Sequence, residues 1–337
     1  MVTRKDFDTI VIIADNICYS KETVGIYNRE PDRAQKSNVD SLISSMKRIF
    51  SNVVLYNDPA LFLEKAPLHR NDIIFPYWHG EKSRNKQALI ASICEASKMI
   101  YVGGDAYTNI VCCDKILSKD VCRLSDIKTP KHVVVNKPVA DIDLSRLRYP
   151  LLIKPTYEGT SIGITQDNLI FNEDKNRIIK LVNNLYENLN QPIIIEEFIS
   201  GKELSVSIIG WKDNIKAWGV VERYSELDNN YFNNNIHSFE DKLHSKIKLR
   251  DGKHLLSDYN MSKLFKLFNW LDKVEYIRID GKLVNDTFYC FELSHDTTLN
   301  PLGSFFTPFY YEGYNHLSVL ELLIDNCLER YNNLYPS

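Results

Sequence analysis

Two periods of apolar residues run along this chain, and they sketch its first third before any motif is considered. Residues 8–14 form a continuous β-branched run of the kind that fills a strand buried on both faces. Residues 39–50 carry Val39, Leu42, Ile43, Met46 and Ile49 at helical spacing. Residues 52–56 and 72–77 return to strand character, residues 86–96 place Ala88, Leu89, Ile93 and Ala96 on one helical face, and residues 99–102 close the unit at Gly103-Gly104. Strand, helix and strand in this order predict a parallel sheet with right-handed crossovers.

Further on the pattern changes. Strands are expected at 133–135 and 151–153, separated by the polar connection 136–149, and an amphipathic helix at 176–188 precedes a buried strand at 193–195. Residues 204–210 and 216–221 read as strands, after which the polar segment 224–252 is longer than ordinary connections and is expected to be a lid or disordered. A helix at 259–271 leads to strands at 276–280 and 287–293, paired as an antiparallel hairpin across Asn285-Asp286, and a helix at 314–331 closes the chain.

Composition narrows the class. At 337 residues the chain can hold two or three lobes with real cores, and 44% hydrophobic with 25% charged residues is an ordinary soluble composition. A net charge of −3 gives no field for nucleic acid or an anionic membrane, no apolar run approaches a membrane span, and no signal-peptide core is visible, so a cytoplasmic protein is expected. The seven cysteines lie mostly in apolar segments without a Cys-x-x-Cys pair, which reads as reduced, buried thiols.

The candidate chemistry centres on residues 151–164, where a short apolar strand ends in Lys154 and Pro155 is expected to stop its ladder. The loop that follows carries Glu158, Gly159, Thr160, Ser161 and Gly163; its glycines let the backbone turn its N–H groups toward an anion beside the lysine. No Gly-Lys-Ser/Thr follows, so a Walker loop is excluded. Downstream stand Ile193-Ile194-Ile195-Glu196-Glu197-Phe198-Ile199 with Glu203, then Tyr276-Ile277-Arg278-Ile279-Asp280, then Phe291-Glu292-Leu293-Ser294. Asp280 and Glu292, on facing strands, aim two carboxylates at one spot, which a divalent cation would reconcile.

In this order and at these separations the blocks resemble the ATP-grasp superfamily, and most closely its D-alanine–D-alanine ligase branch. The resemblance implies a three-lobe α/β ATP-grasp fold with a Rossmann-like N-terminal lobe, its lobes at residues 1–112, 113–204 and 205–337. It implies ATP and Mg²⁺ as cofactors, small-molecule carboxylate and amine substrates, an amide or peptide bond made through an acyl phosphate, and leaves room for a homodimer. By the same resemblance Lys115, expected on the helix that begins near Ala106, and Lys154 with the Glu158–Gly163 loop hold the phosphates. Glu196, Glu197, Phe198 and Ile199 receive the adenine, and Glu203 the ribose. Asp280, Glu292 and Ser294 hold the metal; Arg278 stabilises the oxyanion; Lys242 is a γ-phosphate contact and lid latch; Ser304 receives the second substrate's carboxylate; Glu22 and His79 meet the first substrate.

The chain departs from the branch on the substrate side. A Gly-Gly turn after the first strand is missing, leaving only Ser20-x-Glu22; His79-Gly80 runs into Glu81-Lys82-Ser83; Leu243 stands where the ligases carry a tyrosine; and Ser294 replaces an asparagine, with added residues behind it. Retained ATP machinery with rewritten substrate walls predicts a ligase for small amino or peptide acids other than D-alanine with D-alanine. A nucleotide-binding protein that has lost turnover, or an ATP-grasp enzyme with a different acceptor, are the alternatives.

Overall fold

The computed structural model describes residues 1–80, 84–85, 87–244, 247–295 and 298–334. In chain order it runs β1 (Thr9–Ala14), α1 (Lys36–Met46), β2 (Asn52–Tyr56), α2 (Pro59–Lys65), β3 (Ile73–Tyr77), α3 (Ala88–Ala96), β4 (Ile100–Tyr101) and α4 (Ala106–Cys113). Then come α5 (Lys115–Leu124), β5 (His132–Val135), β6 (Leu151–Pro155), β7 (Leu169–Ile170), α6 (Lys175–Leu189) and β8 (Ile193–Glu197). The last part is β9 (Lys202–Trp211), β10 (Asn214–Ser225), α7 (Tyr231–Asn234), α8 (Phe239–His244), β11 (Ile247–Asp251), α9 (Asp258–Leu271), β12 (Tyr276–Val284), β13 (Thr287–Ser294), α10 (Thr307–Tyr311) and α11 (His316–Leu334).

Three sheets follow from these elements. The N-terminal sheet, β2-β1-β3-β4, is parallel throughout, and its continuous apolar run is explained by burial on both faces. Ile10, Ile12 and Ala14 pack toward Leu42, Phe309 and Leu323, while Val11 and Ile13 pack toward Phe62, Ile90 and Cys94. The chain's last helix, α11, thus returns to the first core. The central sheet, β5-β8-β6-β7, and the C-terminal sheet, β11-β10-β9-β12-β13, are antiparallel. Each has one apolar face: Leu151, Ile153, Ile193 and Ile195 pack on α6, and Leu204, Val206, Ile208, Ile277 and Ile279 pack on α9. The alternating residues of both sheets line the cleft described below.

Several expectations need correction. The helix expected to carry Lys115 is two helices, broken at Asp114, whose carboxylate caps α5 by accepting the N–H groups of Ile116 and Leu117. Lys115 therefore opens the second helix. Pro155 does not end the ladder but pairs with Ile193; β7 covers only Leu151 and Leu152, so β6 is an edge there, where a proline is tolerated. For the segment expected to be a lid or disordered, disorder is overturned: its described residues form α7, α8 and β11, the last paired to an extended β10. Among the described residues no helix is long and apolar enough to cross a membrane, and no disulfide joins the seven cysteines.

Candidate active site

The floor of the site is a row of polar side chains on the cleft face of the C-terminal sheet. Register places Arg223 opposite Glu203, Ser205 opposite Asp280, Lys282 opposite Glu203 and Arg278 opposite Ser294. Asp280 would face Phe291 if the two-residue hairpin kept a regular register from its turn, where Asn285 and Asp286 both adopt positive φ. A bulge between Asp280 and Gly281 shifts the pairing, so that Asp280 faces Glu292. That single extra residue aims both carboxylates at the cleft.

Each carboxylate meets cations. Arg278 donates through Nε and Nη2 to Asp280 at 3.0 and 2.7 Å, and Arg223 Nη1 lies 3.4 Å from the same group. Burial pushes the Asp280 carboxyl up, but these two guanidiniums outweigh it and hold it far below the usual carboxylate range. Glu292 lies 3.2 Å from Lys115, which offsets its burial and holds it low. Glu203 is raised by burial, against the pull of Arg223 at 3.9 Å. Ser294 accepts from Arg278 Nη2 at 3.2 Å, and Ser304 accepts from Arg223 Nη2 at 3.0 Å.

The facing wall is the central sheet. Lys154 lies 2.6 Å from Glu196, which also holds Lys119 at 2.7 Å. Burial alone would raise Glu196, yet the two lysines bring it down to about 2. Its carboxylate is thus already shared between two cations. Glu197 accepts the N–H of Arg148 at 3.0 Å, Phe198 carries the Lys282 ammonium 4.1 Å above its ring, and Ile199 also faces the cleft. In the loop after β6 the left-handed residues are Thr160, Ser161 and Gly163. Gly159 is required for another reason, because a Cβ there would collide with the Asp32 carboxylate, which accepts from Thr160 Oγ1 at 3.0 Å. The Glu158 side chain ties the loop down through Arg29 and Gln191, and its carbonyl accepts from Lys115 at 2.6 Å.

The segment around α7 and α8 forms the roof, closed against the central sheet. Ser161 Oγ donates to the His237 carbonyl, Gln166 Nε2 to that of Ile236, and the Phe239 N–H to that of Ile164, at 2.8, 2.8 and 3.0 Å. Lys282 donates to the Phe232 carbonyl at 2.6 Å. Lys242 projects into the cleft from α8, where burial lowers it to about 8; burial does the same to Lys282, partly offset by Glu203.

Together these surfaces enclose a cleft of about 570 Å³ that also takes in His79, Asp32, Lys21 and Tyr19, within the usual range for small-molecule sites. His79 is buried, its Nδ1 2.6 Å from the Asp32 carbonyl. Glu22 must be corrected: it is exposed and does not line the cleft, because the turn after β1 presents Tyr19 and Lys21 there instead. The departures at Glu81-Lys82-Ser83 and Asp296-Thr297, and the side chain of Leu243, lie outside the described residues.

Residues 126–297, just over half of the chain, match the family model D-ala D-ala ligase C-terminus. The chain belongs to the D-alanine–D-alanine ligase family. Over 285 residues it is 26% identical to the D-alanine–D-alanine ligase of Pelagibacter ubique, covering 80% of this chain and 86% of that one. It is 23% identical over 309 residues to the ligase of the same name from Acetivibrio thermocellus, covering 86% and 78%. Among solved structures, the D-alanine–D-alanine ligase from Bacillus anthracis complexed with ATP superposes with a TM-score of 0.72 at 16% identity, over 97% of this chain and 99% of that one. The ligase from Coxiella burnetii gives 0.67 at 14% identity, over 98% and 96%. These likenesses show the ATP-grasp fold.

In this ligase-family chain four cleft residues or their partners carry no motif in the sequence: Lys119, Arg223, Lys282 and Asp32. Lys119 stands one helical turn beyond Lys115 on α5, a spacing that could have flagged it. Arg223 and Lys282 sit at alternate positions of strands whose other face is core, but the apolar pattern of the expected 216–221 strand ends before Arg223. Asp32 gives no local signal. As for a metal, Asp280, Glu292 and Ser294 offer two carboxylates and a hydroxyl on adjacent strands, an all-oxygen donor set that fits Mg²⁺ bound jointly with substrate phosphates. Among the described residues no cluster of three or more His, Cys, Asp or Glu side chains is placed to hold a metal by itself.

Proposed function

We propose that this chain is an ATP-dependent, ADP-forming carboxylate–amine ligase, working through an acyl phosphate on small amino or peptide acids other than D-alanine with D-alanine. The supporting observation is that one cleft gathers the Lys154 wall, the Glu203 to Glu292 floor and the Lys242 roof. The nucleotide lies between the two antiparallel sheets, its ring beside Glu196, Glu197, Phe198 and Ile199 and its ribose on Glu203. Lys115, Lys154, Lys242 and the backbone from Gly159 to Gly163 hold phosphates. Asp280 and Glu292, with Ser294, would hold Mg²⁺, which would supply charge neutralisation for phosphoryl transfer. Arg278 stabilises the oxyanion formed when the amine attacks the acyl carbon, Ser304 receives the second substrate, and His79 positions the first.

The narrower substrate claim rests on the wall beside β1. Asp15, just beyond that strand, is fully engaged by the N–H groups of Ala34, His79 and Gly80 and by Arg33 at 2.9 Å. Glu22 is turned outward. A pocket framed differently around the first substrate selects differently. The test is ADP release from MgATP across single amino acids and pairs, with products identified by mass. D-alanine alone giving D-alanyl-D-alanine faster than every other candidate would overturn the substrate claim. Nucleotide binding without ADP release for any pair would favour the reading without turnover.

A further inference from the structure

We propose that Arg223 is a further catalytic residue of this cleft, a second guanidinium that touches the terminal phosphoryl group of the nucleotide during its transfer. The proposal rests on the ligase reading above.

Three observations point to it. The first is position. Arg223 is opposite Glu203, and its guanidinium spans from 3.9 Å off Glu203 to a 3.0 Å hydrogen bond with Ser304, passing 3.4 Å from Asp280. If Glu203 marks the ribose and Ser304 the second substrate, Arg223 stands where the end of the triphosphate must lie. The second is its choice of partners. Asp280 already accepts a two-pronged interaction from Arg278, and Arg223 reaches it through one longer contact, giving its other hydrogen bonds to the neutral hydroxyls of Ser205 and Ser304. Hydroxyls satisfy the donors without matching the charge. The third is the surrounding field. Arg278 pairs with Asp280 at 2.7 Å and Lys115 with Glu292 at 3.2 Å, while Lys242 lies within electrostatic reach of both carboxylates and of Arg223. The Arg223 side chain is only 10% exposed, so its charge acts in a screened-out, low-dielectric setting.

A guanidinium fork suits the equatorial oxygens of a phosphoryl group. In the transfer, a donor carboxylate oxygen bonds to the γ-phosphorus while the bond from that phosphorus to the β–γ bridging oxygen breaks, and its electron pair leaves with ADP. Arg223 then neutralises charge on the moving group.

The experiment is calorimetry on the full chain in Mg²⁺ buffer, comparing ADP with the non-hydrolysable analogue adenylyl imidodiphosphate. Arg223→Met is expected to weaken the analogue by about tenfold or more, the scale of one charge-assisted hydrogen bond, and ADP by less than about twofold. Arg223→Lys, which keeps the charge and loses the fork, should fall between, and it decides the matter if the methionine variant does not fold. Equal losses for both nucleotides would place Arg223 at the nucleoside and overturn the proposal. Unchanged affinities with a raised KM for the amine would make it an acceptor residue, also overturning it. An unsubstituted chain that binds both nucleotides but releases no ADP would sink the ligase reading alone; one that binds neither would sink both.

Discussion

The floor and the rim of the cleft are both rich in charge, yet they use it in opposite ways. On the floor, Glu203, Asp280 and Glu292 stand on strands whose other face is core, so their positions are set by register and their charges converge on one volume. On the rim, charges are consumed in holding loops. Asp15 secures the 33–34 and 79–80 segments, and Asp241 accepts from Ser238, Gln166 and Tyr231 to build the roof. Strands fix where the floor charges point, and the rim charges fix the course of the loops. Removing a floor charge should damage turnover with little change of fold, whereas removing a rim or wall charge should act through stability or substrate affinity.

The largest effect expected is on the floor. Asp280→Asn or Glu292→Gln should lower ADP formation by about a hundredfold or more, read in a coupled assay at saturating Mg²⁺. Near-normal rates in Glu292→Gln would end the distinction between floor and rim. Next comes the wall: Lys119→Met leaves Glu196 one buried partner short and should cost about 3 kcal/mol in urea denaturation, although Lys119 does not line the cleft. A cost below about 1 kcal/mol would show that Lys154 alone suffices.

A smaller effect is expected from Lys242 and Lys282, both lowered by burial to about 8. Nucleotide anions favour the charged lysines, so affinity should be greatest below pH 8 and fall several-fold as pH rises through it. Lys242→Met should flatten that profile in calorimetry, and an unaltered slope would remove Lys242 from the phosphate site. For folding the sign is reversed. Both groups lose their protons earlier in the folded chain than in the unfolded one, so their contribution to stability should rise between about pH 8 and 10.5. The smallest effect tests the corrected residue: Glu22→Ala, at an exposed position, should change neither stability by more than about 0.5 kcal/mol nor turnover.

Much of this was readable without coordinates. The first strand and its two-faced burial follow from one apolar run, and the parallel sheet from the order strand, helix, strand; the hairpin follows from Asn285-Asp286 between two apolar segments; the family follows from the order of its blocks. These are local signals, since period, turn residues and motif spacing are written in consecutive positions. Three features of the site are not local. The bulge beside Asp280, which turns Glu292 into the cleft, depends on how β13 settles against β12. Asp32 lies more than a hundred residues from the Gly159 it shields, and Arg223 becomes part of the site only because β10 runs four residues past its expected end. The sequence by itself determined which faces are apolar and hence which strands can form a floor. Only the tertiary structure decided which charges meet across it, because that choice is made by register and by loop contacts between residues far apart in the chain.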